Sequence, residues 1–120
     1  PCYRLGWVPE GFTMTAEHDL SDVEMYIVHY ADPETGLGFR FDYQHMTENA
    51  ITWIDSTEYT HEYVTVNDLP GEFYESIQEN EASNLLWFDQ ERNLIFGINS
   101  RLDRETIFQI AECVELAETP

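Results

Sequence analysis

Asn84–Val114, NLLWFDQERNLIFGINSRLDRETIFQIAECV, decides the fold. Two apolar runs, Leu85–Asp89 and Leu94–Ile98, flank the polar tetrapeptide Gln90-Glu91-Arg92-Asn93, which is a hairpin with one of the longer loops. Side chains alternate across a strand, so Leu86 and Phe88 point one way and Leu85 and Trp87 the other. Both sides are apolar, which calls for cover on both faces over part of the length. Asn99 and Ser100 break the second run. Asp103 then stands as an N-cap for the backbone N–H of Glu105 or Thr106, with Leu102 and Ile107 at the spacing of a hydrophobic staple. Ile107, Ile110, Ala111 and Val114 recur at i, i+3, i+4 and i+7, the single apolar stripe of a helix laid on a sheet.

Upstream, the pattern is of strands. Pro9 fits the second position of a turn that Gly11 closes, and Phe12–Asp19 alternates Phe12, Met14 and Ala16 against Thr13, Thr15 and Glu17 as a half-buried strand. Val23–Ala31 and Leu37–Met46 form a hairpin around Asp32-Pro33-Glu34-Thr35-Gly36. If Ala31 faces Leu37, then Met25, Ile27 and His29 share the core face with Leu37, Phe39, Phe41 and Tyr43. The other face then carries Tyr26, Val28, Tyr30, Arg40, Asp42 and Gln44, a mixture of aromatic and polar groups. Ala50–Asp55 and His61–Val66 read as further strands. Pro70-Gly71 suits the centre of a type II turn, from which Glu72–Gln78 returns. The expected architecture is therefore α+β: one domain over residues 1–120, a curved antiparallel meander of six to eight strands with a C-terminal helix packed on one face.

Charge limits what such a domain does. Twenty-four Asp and Glu stand against five Arg and no Lys, a formal charge of −19. A protein that grips a phosphate backbone needs a basic footprint, so no nucleic acid is expected as a partner. The carboxylates are spread along the chain, as on a solvated acidic surface. No apolar run is long enough to span a bilayer as a helix, so membrane attachment would come through an anchor outside these residues.

Catalytic patterns are missing. His18, His29, His45 and His61 come from four segments and make no compact ligand spacing; no serine sits in a nucleophile elbow, and no cofactor motif is present. Asp89-x-Glu91-x-Asn93 imitates the start of a calcium loop, but Leu94 stands where a glycine is needed and Ser100 where a glutamate is needed. No catalytic residue and no metal ligand is assigned. Cys2 and Cys113 are at opposite ends of the chain. Should the ends meet, a disulfide would close a loop of about a hundred residues; otherwise Cys113 is a small buried residue and Cys2 a free thiol. The candidate binding residues are the aromatic–polar set Tyr26, Tyr30 and Arg40, joined by Tyr63, Tyr74 and Trp87 from other strands, because Tyr, Trp and Arg are the types enriched at binding surfaces.

Tyr3-Arg4-Leu5-Gly6-Trp7-Val8-Pro9-Glu10-Gly11-Phe12, Val64-x-Val66, Gly71, Leu86-Trp87 and the closing Leu102-x-x-Glu105-x-x-x-x-Ile110-Ala111-x-x-Val114 together resemble bacterial domain-of-unknown-function family 4367. The resemblance covers nearly the whole chain. It implies the C-terminal, extracytoplasmic part of a longer membrane-anchored protein from Firmicutes, similar in some relatives to the sensor half of an anti-sigma regulator. It carries no catalytic or binding residue to this chain. The function expected on these grounds is sensing or interaction: a protein or envelope ligand bound without catalysis. A small hydrolase and an acidic decoy for a basic protein are the alternatives.

Overall fold

The computed structural model describes residues 3–20, 25–45, 59–77 and 81–116. In chain order the elements are β1 (Tyr3–Leu5), β2 (Thr13–Leu20), β3 (Met25–Ala31), β4 (Gly38–His45), β5 (Tyr59–Val66), β6 (Leu69–Ser76), β7 (Ser83–Asp89), β8 (Leu94–Ser100), α1 (Arg104–Glu112) and β9 (Val114–Leu116). Seven strands make one antiparallel sheet in the order β2-β3-β4-β8-β7-β6-β5, and β1 pairs with β9 beside it. Two local meanders, β2–β4 and β5–β8, are thus joined edge to edge through β4 and β8. The expected strand at Ala50–Asp55 lies outside the described residues.

The decisive stretch folds as its pattern demands, with three adjustments. Strand β8 runs through Asn99 and Ser100, because both polar side chains find partners: Asn99 Nδ2 donates to Asn84 Oδ1 at 2.8 Å and Ser100 Oγ to the Gly38 carbonyl at 2.9 Å. Asp103 holds the N-cap position, yet its carboxylate accepts from the Thr106 hydroxyl and not from a backbone amide. The helix ends at Glu112, two residues short of the full stripe. Val114 is instead paired with Leu5, after Gly6 N–H has met the Cys113 carbonyl at 2.8 Å.

The core lies between α1 and one sheet face. Ile107, Ile110 and Ala111 are fully buried against Phe41, Phe73, Leu85, Ile98, Val28 and Val66. Trp87 stacks on Phe96, with ring centroids 5.4 Å apart, and faces Phe41 at 6.3 Å. Arg104 fastens the helix to the far edge. Its two Nη groups donate to both Glu62 oxygens at 2.8 and 2.7 Å while its guanidinium lies over Phe73 and Phe108. At the other end of the helix, Asn67 Nδ2 donates to the Glu112 carbonyl.

One register error overturns the expected faces of β3. Asp32 N–H donates to the Leu37 carbonyl, so Ala31 faces Gly38 and not Leu37, and Tyr26, Val28 and Tyr30 face Tyr43, Phe41 and Phe39. A slip of one residue moves every side chain of a strand to the other side. Val28 is accordingly in the core, while Met25, Ile27 and His29 are on the face away from the helix. The turn at Pro70-Gly71 is also corrected. Asn67 and Asp68, with φ of 50° and 69°, form the two-residue hairpin turn, and Pro70 and Gly71 lie within β6 opposite Thr65 and Val64. The first turn shifts by one residue as well, since Phe12 N–H reaches the Pro9 carbonyl and Gly11, at φ 91°, takes the third position. Strand β2 is an edge strand and mostly exposed, with Met14 47% accessible, not half-buried.

Candidate functional site

Because α1 covers one face, the groups able to meet a ligand are on the other, among the described residues that point away from the helix. This face has at its middle Arg40, Asp42 and Gln44 of β4, paired with Asn99, Gly97 and Ile95 of β8. Two clusters stand out on it.

The first is a cleft of about 390 Å³ where β3 and β8 end and β4 begins. Thr15, His29, Arg40, Asn99 and Arg101 supply its polar side chains; Tyr30 and Phe39 border it too, but their rings, stacked with centroids 5.3 Å apart, are on the core side of the sheet with Val28 and Phe41. Strand pairing builds it: Arg40 is opposite His29 on β3 and Asn99 on β8. Arg40 Nε donates to Asp42 Oδ2 at 3.0 Å. Burial pushes the Asp42 carboxyl above the usual carboxylate range, and Arg40 and His29 offset part of that. Arg101, exposed just beyond β8, reaches among the described residues only the Gly36 carbonyl, at 3.5 Å.

The second cluster is at the β5–β6 edge. His61 Nε2 lies 2.8 Å from Glu72 Oε1, which also accepts from the Tyr74 hydroxyl at 3.2 Å. The imidazole stacks on Tyr74 at 4.7 Å and meets Tyr63 edge-on at 4.7 Å. Tyr63 is 80% exposed. Burial, followed by the Glu72 charge and hydrogen bond, raises the Tyr74 hydroxyl above its ordinary value.

The six candidate residues therefore separate into three pairs. Tyr30 and Arg40 both border the cleft, though the Tyr30 ring is on the core face and Arg40 on the other, and Tyr63 and Tyr74 flank His61 at the opposite edge. Tyr26 and Trp87 belong to the core face, where Tyr26 is 4% and Trp87 2% exposed. The Tyr26 hydroxyl donates to Glu17 Oε2, and burial, then that carboxylate, raise it well above the usual phenol range. Residue type alone missed His29, Arg101 and Asn99 at the cleft and His61 and Glu72 at the edge. The available signal was scarcity: in a chain with five arginines, Arg40 and Arg101 both lie at the border of the β3–β4–β8 unit. Cys113 is half-buried just beyond α1, and Cys2, with the proposed cross-link, lies outside the described residues.

Chemically, the arrangement offers hydrogen-bond donors and aromatic faces. Among the described residues no group of three or more His, Cys, Asp or Glu could hold a metal ion, and no helix is long and apolar enough to cross a membrane. No curated protein matches the sequence. A family model does, the one described as "Domain of unknown function (DUF4367)", over residues 2–114. The match runs from before β1 through α1 to the first residue of β9, and the chain belongs to the DUF4367 family.

Proposed function

We propose that the domain is a non-catalytic sensor or interaction module. It is held outside the membrane by an anchor elsewhere in a longer bacterial protein, and it binds a protein or envelope ligand on the sheet face that α1 leaves uncovered. One observation carries this reading: the open face ends in a cleft lined by guanidinium, imidazole and amide groups, the chemistry of recognition. Asp42, the carboxyl that burial raises on this face, is bound to Arg40 and so is occupied in holding a side chain in place. The extracytoplasmic, membrane-anchored setting comes from the resemblance of the Tyr3–Phe12 start and the closing helix.

The test is capture of partners from an envelope extract on the purified domain at low and at high salt. A partner retained at high salt supports contact recognition on the open face. A partner lost at high salt moves the weight to attraction by the net charge of −19. Capture that survives Tyr63→Ala, Arg40→Gln and Arg101→Gln made together would overturn the assignment to this face.

A further inference from the structure

We propose that the cleft at the ends of β3 and β8 binds an anionic oxygen group, a carboxylate or a phosphate, carried by a small ligand. The proposal rests on the reading of the uncovered face as the binding face and names the ligand class. Three observations point the same way.

The cleft is an electrostatic exception. One residue in five of this chain is Asp or Glu, so eleven lining residues would carry about two on average; they carry none, and they include two of the five arginines. The other arginines are committed elsewhere: Arg4 to Glu115 at 3.0 Å, Arg104 to both oxygens of Glu62, and Arg92 to the Tyr3 hydroxyl. The cleft arginines retain donors. Arg40 uses only Nε, on Asp42, which orients the guanidinium and leaves both Nη groups without a partner among the described residues. Arg101 has no carboxylate partner among them, although acids outnumber arginines about five to one.

A guanidinium presents a planar fork of N–H donors that matches the oxygens of a carboxylate or phosphate. The neighbouring His29 ring and Asn99 amide supply further donors. The volume of about 390 Å³ suits a group the size of an amino acid or a sugar. The net charge of −19 repels an anion at a distance, but physiological salt screens that field beyond about 8 Å, so recognition is a contact event.

The experiment is a titration of ¹⁵N-labelled protein, followed by amide and arginine Nε resonances. The probes are inorganic phosphate, N-acetylglycine and the uncharged control N-acetylglycinamide. Saturable shifts at His29, Arg40, Asn99 and Arg101 are expected with an anion and not with the amide. Saturation by N-acetylglycine alone assigns a carboxylate ligand, and saturation by phosphate alone a phosphoryl ligand. Arg101→Gln, at an exposed position beyond the strand, should weaken binding at least tenfold with thermal unfolding unchanged. Arg40→Lys, which keeps the charge and loses the fork, should weaken it as well. The proposal is overturned if neither anion gives saturable shifts at these residues, or if Arg101→Gln binds as the parent does. Saturable shifts confined to Leu86 or Tyr63 would remove the cleft and leave the open face as the binding face. No anion binding together with no captured partner would remove both.

Discussion

Replacing Gly71 by alanine tests the corrected turn directly. A turn glycine there would be needed for positive φ; the structure gives it a different task. Gly71 lies in β6 opposite Trp87, and a Cβ built on it would be 2.5 Å from the Leu86 carbonyl oxygen and 3.1 Å from the Trp87 Cβ. Ordinary contacts begin near 3.4 Å, so β6 and β7 must separate by close to an ångström. Both clashing atoms are fixed, one in backbone and one at the root of a ring stacked on Phe96. Overpacking of this kind costs about 1–3 kcal/mol, and one weakened ladder hydrogen bond adds about 1 kcal/mol. Stiffening of the unfolded chain returns roughly 0.4–1 kcal/mol. The net expectation is a loss of about 2–3 kcal/mol, or roughly 10 °C in melting temperature for a domain of this length, measured by urea and thermal denaturation. Asp68→Val supplies the sign. At φ 69° a β-branched residue is strained, and a loss of about 1–2 kcal/mol follows. Were the turn centred on Pro70-Gly71, Asp68 would be extended and valine would stabilise it. Gly71→Ala within about 0.5 kcal/mol of the parent, or a stabilising Asp68→Val, would refute the register of β5 and β6.

Ile107→Ala, which empties a fully buried site under α1, should cost about 2–5 kcal/mol by urea denaturation, and a loss below 1 kcal/mol would show the helix to be poorly docked. Tyr63→Ala should change stability by less than about 0.5 kcal/mol, since the ring is 80% exposed, while reducing partner capture; a large stability loss would mean the ring is covered. Asp42→Asn should gain stability relative to the parent as pH rises from about 4 toward neutrality. The Asp42 carboxyl is raised in the fold by burial, so below its unfolded value both states are neutral and nothing is lost, whereas above its folded value the buried charge is a cost that asparagine avoids. A difference that does not vary with pH would contradict that burial effect.

The helix and the β7–β8 hairpin were legible because several local signals agree there and because each element is longer than its turn. Ile107, Ile110 and Ala111 have one spacing and one solution. Hairpins bounded by short loops were harder, since register depends on the parity of the loop and not on its composition. In the β3–β4 hairpin the pairing of Asp32 with Leu37 makes the loop even, and that single residue exchanges Val28 for Ile27 in the core. A sequence with apolar residues at both parities, such as MYIVHY, contains nothing to choose between them. The Asn67-Asp68 turn was hidden for a related reason: Pro70-Gly71 is a strong turn signal by composition, and only the approach of Leu86 shows that the glycine serves strand packing.

The same parity governs how much of the site could be foreseen. Tyr26, Tyr30 and Arg40 were grouped because odd and even positions of two paired strands were aligned one residue out of step. The correct alignment sends Tyr26 and the Tyr30 ring inward and brings His29 beside Arg40. What survives any register is the end of the hairpin, because residues next to a turn stay together whichever way the strands slip. Tyr30 and Arg40 are both near that end and both border the cleft, although only Arg40 turns its side chain to the open face. Arg101 enters from a different hairpin, through the β4–β8 pairing of Phe39 with Ser100, and no local rule could have placed it there. A binding surface built across two meanders is therefore visible in sequence only as far as each meander reaches. Its electrostatics become apparent when the sheet brings scarce cations of separate segments to one edge, with Asp42 beside the lining as the carboxylate that holds Arg40.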